Sequence, residues 1–152
     1  MKNFIYSAIV FIYSISIYAE TFSGKVVSVH DGDTVRILVE NKQVKVRLFG
    51  IDAPETNQAF GTKSKEALKS LVHKKQVTVD HKGKDQFGRT LGVIFLEGKD
   101  INLEMLKLGM VWVYKIHRKK GPYLSAEEEA KKNSIGLWAD KDPTPPWIFR
   151  KK

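Results

Sequence analysis

Three runs of alternating apolar and polar residues near the start of the chain constrain its fold most. They lie in "TFSGKVVSVHDGDTVRILVENKQVKVRLFGID", residues 21–52. Alternation with a period of two is typical of strands that bury one face. The segments HDGD and ENKQ between the runs are rich in turn-forming residues. This stretch therefore predicts a three-stranded antiparallel meander.

Helix and strand patterns alternate along the rest of the chain. Helical spacing of apolar residues is found in "FGTKSKEALKSLVHKK", in "DINLEMLKLG" after a capping Asp100, and in "SAEEEAKKNSIG", where Ser125 and Glu128 match a capping box. Two further strands are predicted in "QVTVDH" and "RTLGVIFLEG", and the tail "DPTPPWIFRKK" is predicted to be extended. The order of these elements predicts an α+β fold, a five-stranded antiparallel OB-type β-barrel with three packed α-helices.

The first 19 residues have the pattern of an export signal. Lys2 precedes an apolar stretch over residues 4–18, and the small Ala19 comes before the polar part of the chain. Cleavage after Ala19 would leave one domain, residues 20–152, in the periplasm or the medium. We expect that domain to be a monomer with no membrane association. An uncleaved membrane anchor is the alternative reading of the same segment.

Charge and cysteine content narrow the classes of partner and chemistry. The formal net charge is +9, which favours polyanionic partners such as nucleic acid, an anionic membrane or an acidic polysaccharide. The chain has no cysteine, so disulfides, thiolate zinc sites and cysteine nucleophiles are excluded.

Acidic and arginine side chains gather around the turns of the predicted barrel. Asp33 opens the second strand and Asp52 ends the third, so both should meet at one barrel end, with Glu55 one turn away. Neighbouring carboxylates repel unless a cation lies between them, and an all-oxygen donor set favours Ca²⁺, or Mg²⁺ or Mn²⁺, over zinc. Arg47 and Arg89 can each bind a phosphate through two hydrogen bonds. The combination suits phosphodiester hydrolysis, although each residue alone also fits a turn, a cap or a strand surface.

Several segments, in order, resemble the thermonuclease (staphylococcal nuclease-like) family. They are "VVSVHDGDTVRI", "VRLFGIDAPE", "DQFGRTLGVIF", "INLEMLKLGMVWVY" and "AEEEAKKNSIGLW", and the tail "PTPPWIFRK" is similar to the ending of exported bacterial members. The resemblance spans nearly all of the chain after residue 19. It implies cleavage of DNA and RNA with little sequence preference, leaving 3′-phosphate ends.

The resemblance also implies a role for individual residues. Asp33, Asp52 and the backbone carbonyl of Ala53, which stands where the family often has threonine, would bind Ca²⁺. Glu55 would position or activate the attacking water.

Substrate contacts follow from the same resemblance. Arg47 and Arg89 would hold the phosphate and stabilise its transition state, and Tyr114 loosely matches a tyrosine of the substrate pocket. Gln86 and Phe87 stand where some members have a nucleotide-contacting Lys-Tyr pair. Two other hypotheses stay open: an OB-type module that binds nucleic acid without cutting it, and a membrane-bound polyanion adhesin. Retention of all the implied catalytic groups favours the enzyme.

Overall fold

A computed structural model describes residues 20–151, and its centre is a β-barrel. The predicted export signal, residues 1–19, lies outside the described residues. The strands, in chain order, are β1 (Thr21–Asp31), β2 (Thr34–Val39), β3 (Lys42–Leu48), β4 (Ile51–Asp52), β5 (Gln76–Lys84), β6 (Thr90–Leu96), β7 (Lys99–Asp100) and β8 (Trp112–Val113). The helices are α1 (Gly61–Val72), α2 (Ile101–Lys107), α3 (Pro122–Lys132) and α4 (Pro146–Phe149), with 3₁₀ turns at Lys115–His117 and Gly136–Ala139.

Five strands close the barrel, as the sequence predicts. Hydrogen bonds join β3, β2, β1, β5 and β6 in that order, and β3 pairs with β6 to complete the ring. The closing pair is parallel, whereas the other four pairs are antiparallel. A closed ring with an odd number of strands cannot alternate direction throughout, so one parallel pair is unavoidable. The predicted five-stranded OB-type barrel is therefore confirmed, with one parallel pair at its closure.

The barrel interior is filled by the apolar positions of the alternating pattern. Val35 and Ile37 on β2 and Val46 and Leu48 on β3 are completely buried. Each such side chain contributes about 1.5–3 kcal/mol by leaving water. The predicted meander is therefore confirmed, and its register places Thr34 opposite Arg47.

The predicted start of α2 is correct, whereas the predicted start of α3 is not. The Asp100 side chain accepts a hydrogen bond from the Leu103 N–H at 2.9 Å, which confirms the predicted cap of α2. In contrast, α3 begins at Pro122, and the Ser125 N–H bonds to the Gly121 carbonyl inside the first turn. The predicted capping box at Ser125 is therefore wrong, because a proline at the first helical position already has the required φ.

A second, smaller cluster holds the C-terminal tail. Trp112 packs edge-on against Trp138 with ring centroids 4.3 Å apart, and Trp147 also packs edge-on against Trp112, with ring centroids 5.7 Å apart. The tail was predicted to be extended, but it forms the short helix α4, which places Trp147 in this cluster. No helix within residues 20–151 is both long and apolar enough to cross a membrane.

Candidate active site

Two buried carboxylates and one arginine form the centre of the candidate site. The Arg47 Nη2 lies 2.9 Å from Asp52 Oδ1 and 3.3 Å from Asp33 Oδ2. Asp33 directly precedes Thr34, the strand partner of Arg47, which places its side chain at this end of the barrel. The Ala53 N–H donates to Asp33 Oδ2 at 2.7 Å and so joins the two acidic segments. The structure thus brings Asp33 and Asp52 together as the sequence predicts.

The turn after β3 fixes the orientation of Arg47. Gly50 has a φ of +79°, a conformation that glycine adopts without strain, and it reverses the chain. The carbonyls of Leu48 and Ile51, on either side of this turn, accept hydrogen bonds from Arg47 Nη1 at 3.0 and 2.9 Å. The guanidinium is therefore held by backbone as well as by carboxylates.

The DGD turn places Asp33 through a second set of contacts. Asp31 Oδ1 accepts the Asp33 N–H at 3.0 Å, and the Thr34 hydroxyl donates to Asp33 Oδ1 at 2.9 Å. Burial, followed by the negative charge of Asp33, raises the pKa of Asp31 to about 6. Burial also raises the pKa of Asp52 above its usual value, although the Arg150 hydrogen bond opposes that rise. The cost of burying these acids is what a cation would relieve.

Arg150, from the C-terminal tail, is the residue that sequence reasoning missed. Its Nη2 lies 2.7 Å from Asp52 Oδ2, and its Nη1 lies 3.2 Å from Asp52 Oδ1 and 2.7 Å from Glu55 Oε1. The hydrogen bond to Asp52 is the main cause of a raised pKa of Arg150. In the sequence, this residue is only an arginine that follows the Pro-Pro-Trp segment of the tail. Its neighbours in the sequence do not indicate which side chains it contacts in the folded protein.

Arg89 enters the same site from the hairpin between β5 and β6. The Asp85 carboxylate accepts hydrogen bonds from the backbone N–H groups of Phe87 and Arg89, both at 2.9 Å, and from Arg89 Nε at 2.6 Å. Burial alone would raise the pKa of Asp85, but these hydrogen bonds, with that from the Arg89 N–H foremost, lower it. Asp85 thus orients the second predicted phosphate-binding arginine.

A cavity of about 600 Å³ connects these groups. Its walls include the predicted site residues Asp33, Arg47, Asp52, Arg89 and Tyr114. The Tyr114 ring lies 5.9 Å from the Arg47 guanidinium. Glu55 is not among the lining residues, and it joins the site through Arg150.

An aromatic wall flanks the cavity. Phe87, in the position where some family members have tyrosine, is 73% exposed beside Arg89, with its ring 5.5 Å from the guanidinium. Phe49 and His117, which line the cavity together with Tyr114, have ring centroids 4.5 Å apart. Exposed rings beside arginines are suited to stacking against nucleic-acid bases.

The donor set fits a hard divalent cation better than zinc. Asp33 and Asp52 offer carboxylate oxygens only, and across residues 20–151 no group of three or more His, Asp or Glu side chains is arranged to hold a metal. Two carboxylates suit a Ca²⁺ or Mg²⁺ that keeps several waters. Ala53 is buried, and its N–H donates to Asp33. Contact between its carbonyl and a metal stays a prediction.

Known proteins match this chain over most of its length. The staphylococcal nuclease homologue family matches residues 45–140. A Haemophilus influenzae protein named an uncharacterized endonuclease is 49% identical over 129 residues, which are 84% of this chain and 72% of that protein. A micrococcal nuclease of Shigella flexneri is 36% identical, and the match covers 95% of this chain and 89% of that protein. A staphylococcal-like nuclease of Arabidopsis thaliana is 36% identical over 110 residues, 72% of this chain and 34% of that protein. The chain belongs to the staphylococcal nuclease homologue family.

Proposed function

We propose that this protein is a Ca²⁺-dependent nuclease that hydrolyses DNA and RNA with little sequence preference and leaves 3′-phosphate ends. The observation that carries the proposal is the convergence of Asp33, Asp52, Arg47 and Arg89 on one cavity. Relatives named endonuclease and micrococcal nuclease support it. The resemblance of the sequence segments supports the choice of Ca²⁺ and of the product ends.

The metal would be held by Asp33 and Asp52. When bound, a divalent cation neutralises charge on the phosphoryl oxygens. Arg47 and Arg89 add positive charge and directional hydrogen bonds to the same oxygens. Because Asp85 engages Nε of Arg89, the two terminal nitrogens of that guanidinium remain for phosphate, with no hydrogen-bond partner found for them among residues 20–151.

Glu55 is the group that would take a proton from the attacking water. Its Oε1 accepts from Arg150, whereas no donor to Oε2 is found in the described part of the chain. The water oxygen would bond to phosphorus as the bond from phosphorus to the 5′-oxygen breaks. That cleavage leaves the phosphate on the 3′-oxygen, and the departing 5′-oxygen takes up a proton.

Digestion assays in defined metals test the function. Plasmid DNA, heat-denatured DNA and RNA are incubated with the protein in Ca²⁺, in Mg²⁺ and in EDTA. We expect digestion in Ca²⁺ that EDTA stops, and fragments whose 3′ ends become extendable by a polymerase only after phosphatase treatment. Salt-sensitive DNA binding without digestion would overturn the proposal in favour of a binding module. Fragments extendable without phosphatase would overturn the assigned product.

The role of Glu55 has its own test. Removing a general base typically slows turnover by about 10²–10⁴-fold, so Glu55→Gln should reduce turnover to that degree and retain Ca²⁺-dependent nucleotide binding. Glu128→Gln on α3 is the matched control, because Glu128 is exposed and belongs to another part of the surface. Unchanged turnover in Glu55→Gln would refute the role.

We further propose that the protein is exported and cleaved after Ala19. The leader pattern of residues 1–19 motivates this proposal. N-terminal sequencing of the protein recovered from the periplasm or the medium would test it. A chain beginning at Glu20 is expected, and one that retains Lys2 would refute cleavage.

A further inference from the structure

The Arg150 guanidinium connects the two acids that have different tasks in the proposed reaction. It binds Asp52, a proposed metal ligand, through two nitrogens, and through Nη1 it also binds Glu55, the proposed base. Asp52 is 1% exposed at its side chain and Glu55 is 38% exposed, so the arginine spans from the buried part of the site to its rim. Glu55 has no other side-chain ion pair among residues 20–151.

The tail that carries Arg150 is anchored by contacts outside the site. Pro146 is buried, and Trp147 packs on Trp112 with centroids 5.7 Å apart. The Gln58 side-chain amide donates to the Thr144 carbonyl and so ties the tail to the loop that follows Glu55. Arg150 itself ends α4, with its N–H bonded to the Pro146 carbonyl at 3.0 Å. The position of the guanidinium is therefore set by packing and by hydrogen bonds to the rest of the chain.

We propose that Arg150 is a positioning residue of the active site: it holds Glu55 in place beside Asp52 and, by sharing Asp52, weakens the affinity of the site for the metal. The inference rests on the proposed nuclease function. Arg150, like Asp33, lies outside residues 45–140, the span that matches the family.

The two effects of Arg150 have opposite signs, and this makes the role measurable. Without the guanidinium, Glu55 loses a charge-assisted hydrogen bond and becomes free to rotate away. Turnover should then fall by about 10- to 100-fold, as for the loss of a hydrogen bond to a charged group. Ca²⁺, in contrast, no longer competes with Arg150 for Asp52, which keeps Arg47 as its guanidinium partner, so the Ca²⁺ affinity should rise by about tenfold.

The experiment compares Arg150→Ala, Arg150→Lys and Lys151→Ala in the full chain. Lys151 is the matched control, since it is exposed and no ion pair is found for it in the described residues. Circular dichroism verifies folding, steady-state kinetics give kcat and KM, and Tb³⁺ luminescence with Ca²⁺ displacement gives metal affinity without substrate. We expect Arg150→Ala to lower kcat, to change KM less than about threefold, and to bind Ca²⁺ more tightly. Arg150→Lys should recover part of kcat, and Lys151→Ala should match the wild type.

Other outcomes overturn the inference in distinguishable ways. If Arg150→Ala raises both metal affinity and kcat, the arginine inhibits the enzyme by occupying Asp52 and does not position Glu55. If it lowers both, the tail only supports the fold. A rise in KM with unchanged kcat would make Arg150 a substrate-binding group. Added guanidinium should restore turnover of Arg150→Ala, and lack of rescue would count against positioning. A wild-type protein that digests no nucleic acid refutes the proposed function, whereas the metal affinities still test the competition for Asp52.

Discussion

Gly32 lies between the two acids of the DGD turn and packs against α1 and the loop that carries Ala53. A Cβ built on Gly32 would clash with the Ser64 hydroxyl and would lie 2.8 Å from Ser64 Cβ and 2.9 Å from Ala53 Cβ. Rotation of Ser64 can move the hydroxyl, but it cannot move either Cβ. Gly32→Ala therefore forces the turn, and Asp33 with it, away from Ser64 and Ala53.

The size of the effect follows from these distances. Ordinary carbon–carbon contacts are about 3.5–4.0 Å, so the turn must move by roughly 1 Å. Overpacking of this kind costs about 1–3 kcal/mol of the free energy of unfolding. A misplacement of about 1 Å at a catalytic site can cost about 10²-fold in rate. We therefore expect loss of about 2 kcal/mol in stability and a larger proportional loss of nuclease activity.

Urea unfolding and digestion of heat-denatured DNA measure the two effects. Ser64→Gly removes one clashing side chain, so the double variant Gly32→Ala/Ser64→Gly should regain part of the activity lost in Gly32→Ala. Ser64 Oγ is buried without a hydrogen-bond partner in the described part of the chain, so no hydrogen bond is lost in that control. Wild-type stability and activity in Gly32→Ala would refute the reasoning.

Two further predictions concern buried or hairpin acids. Glu127 is fully buried, and although burial alone would raise its pKa, hydrogen bonds from Arg118, Lys131 and the Val113 N–H hold that pKa below the usual 4.5. Its contribution to the free energy of unfolding is therefore fully present above pH 4.5 and is lost as the pH falls through the lowered pKa. Glu127→Gln should lower the free energy of unfolding by about 2 kcal/mol at neutral pH. Equal urea midpoints of the variant and the wild type at pH 7 would contradict this. Asp85→Ala frees the side chain of Arg89, the second arginine proposed to bind phosphate, so KM for DNA should rise by about tenfold. An unchanged KM would show that Asp85 is dispensable for the orientation of Arg89.

The barrel could be predicted because its signals are local and agree with one another. Alternation in residues 21–52 decides which face of each strand is buried, and the turn residues between the runs place the chain reversals. The start of α3 could not be predicted in the same way. Both Pro122 and Ser125 are acceptable helix starts by local chemistry, and the three-dimensional structure selects the earlier one.

The sequence by itself predicted that Asp33 and Asp52 meet at one end of the barrel. It placed Asp52 at the end of the third strand, whereas Asp52 lies on β4, beyond the Gly50 turn that follows β3. Tertiary structure alone decided the place of Arg150, 95 residues beyond Glu55. That contact depends on packing of the tail against Trp112 and on a hydrogen bond from Gln58. Local patterns act over one turn or one strand pair, whereas the docking of a tail depends on surfaces that exist only after the barrel and helices have assembled.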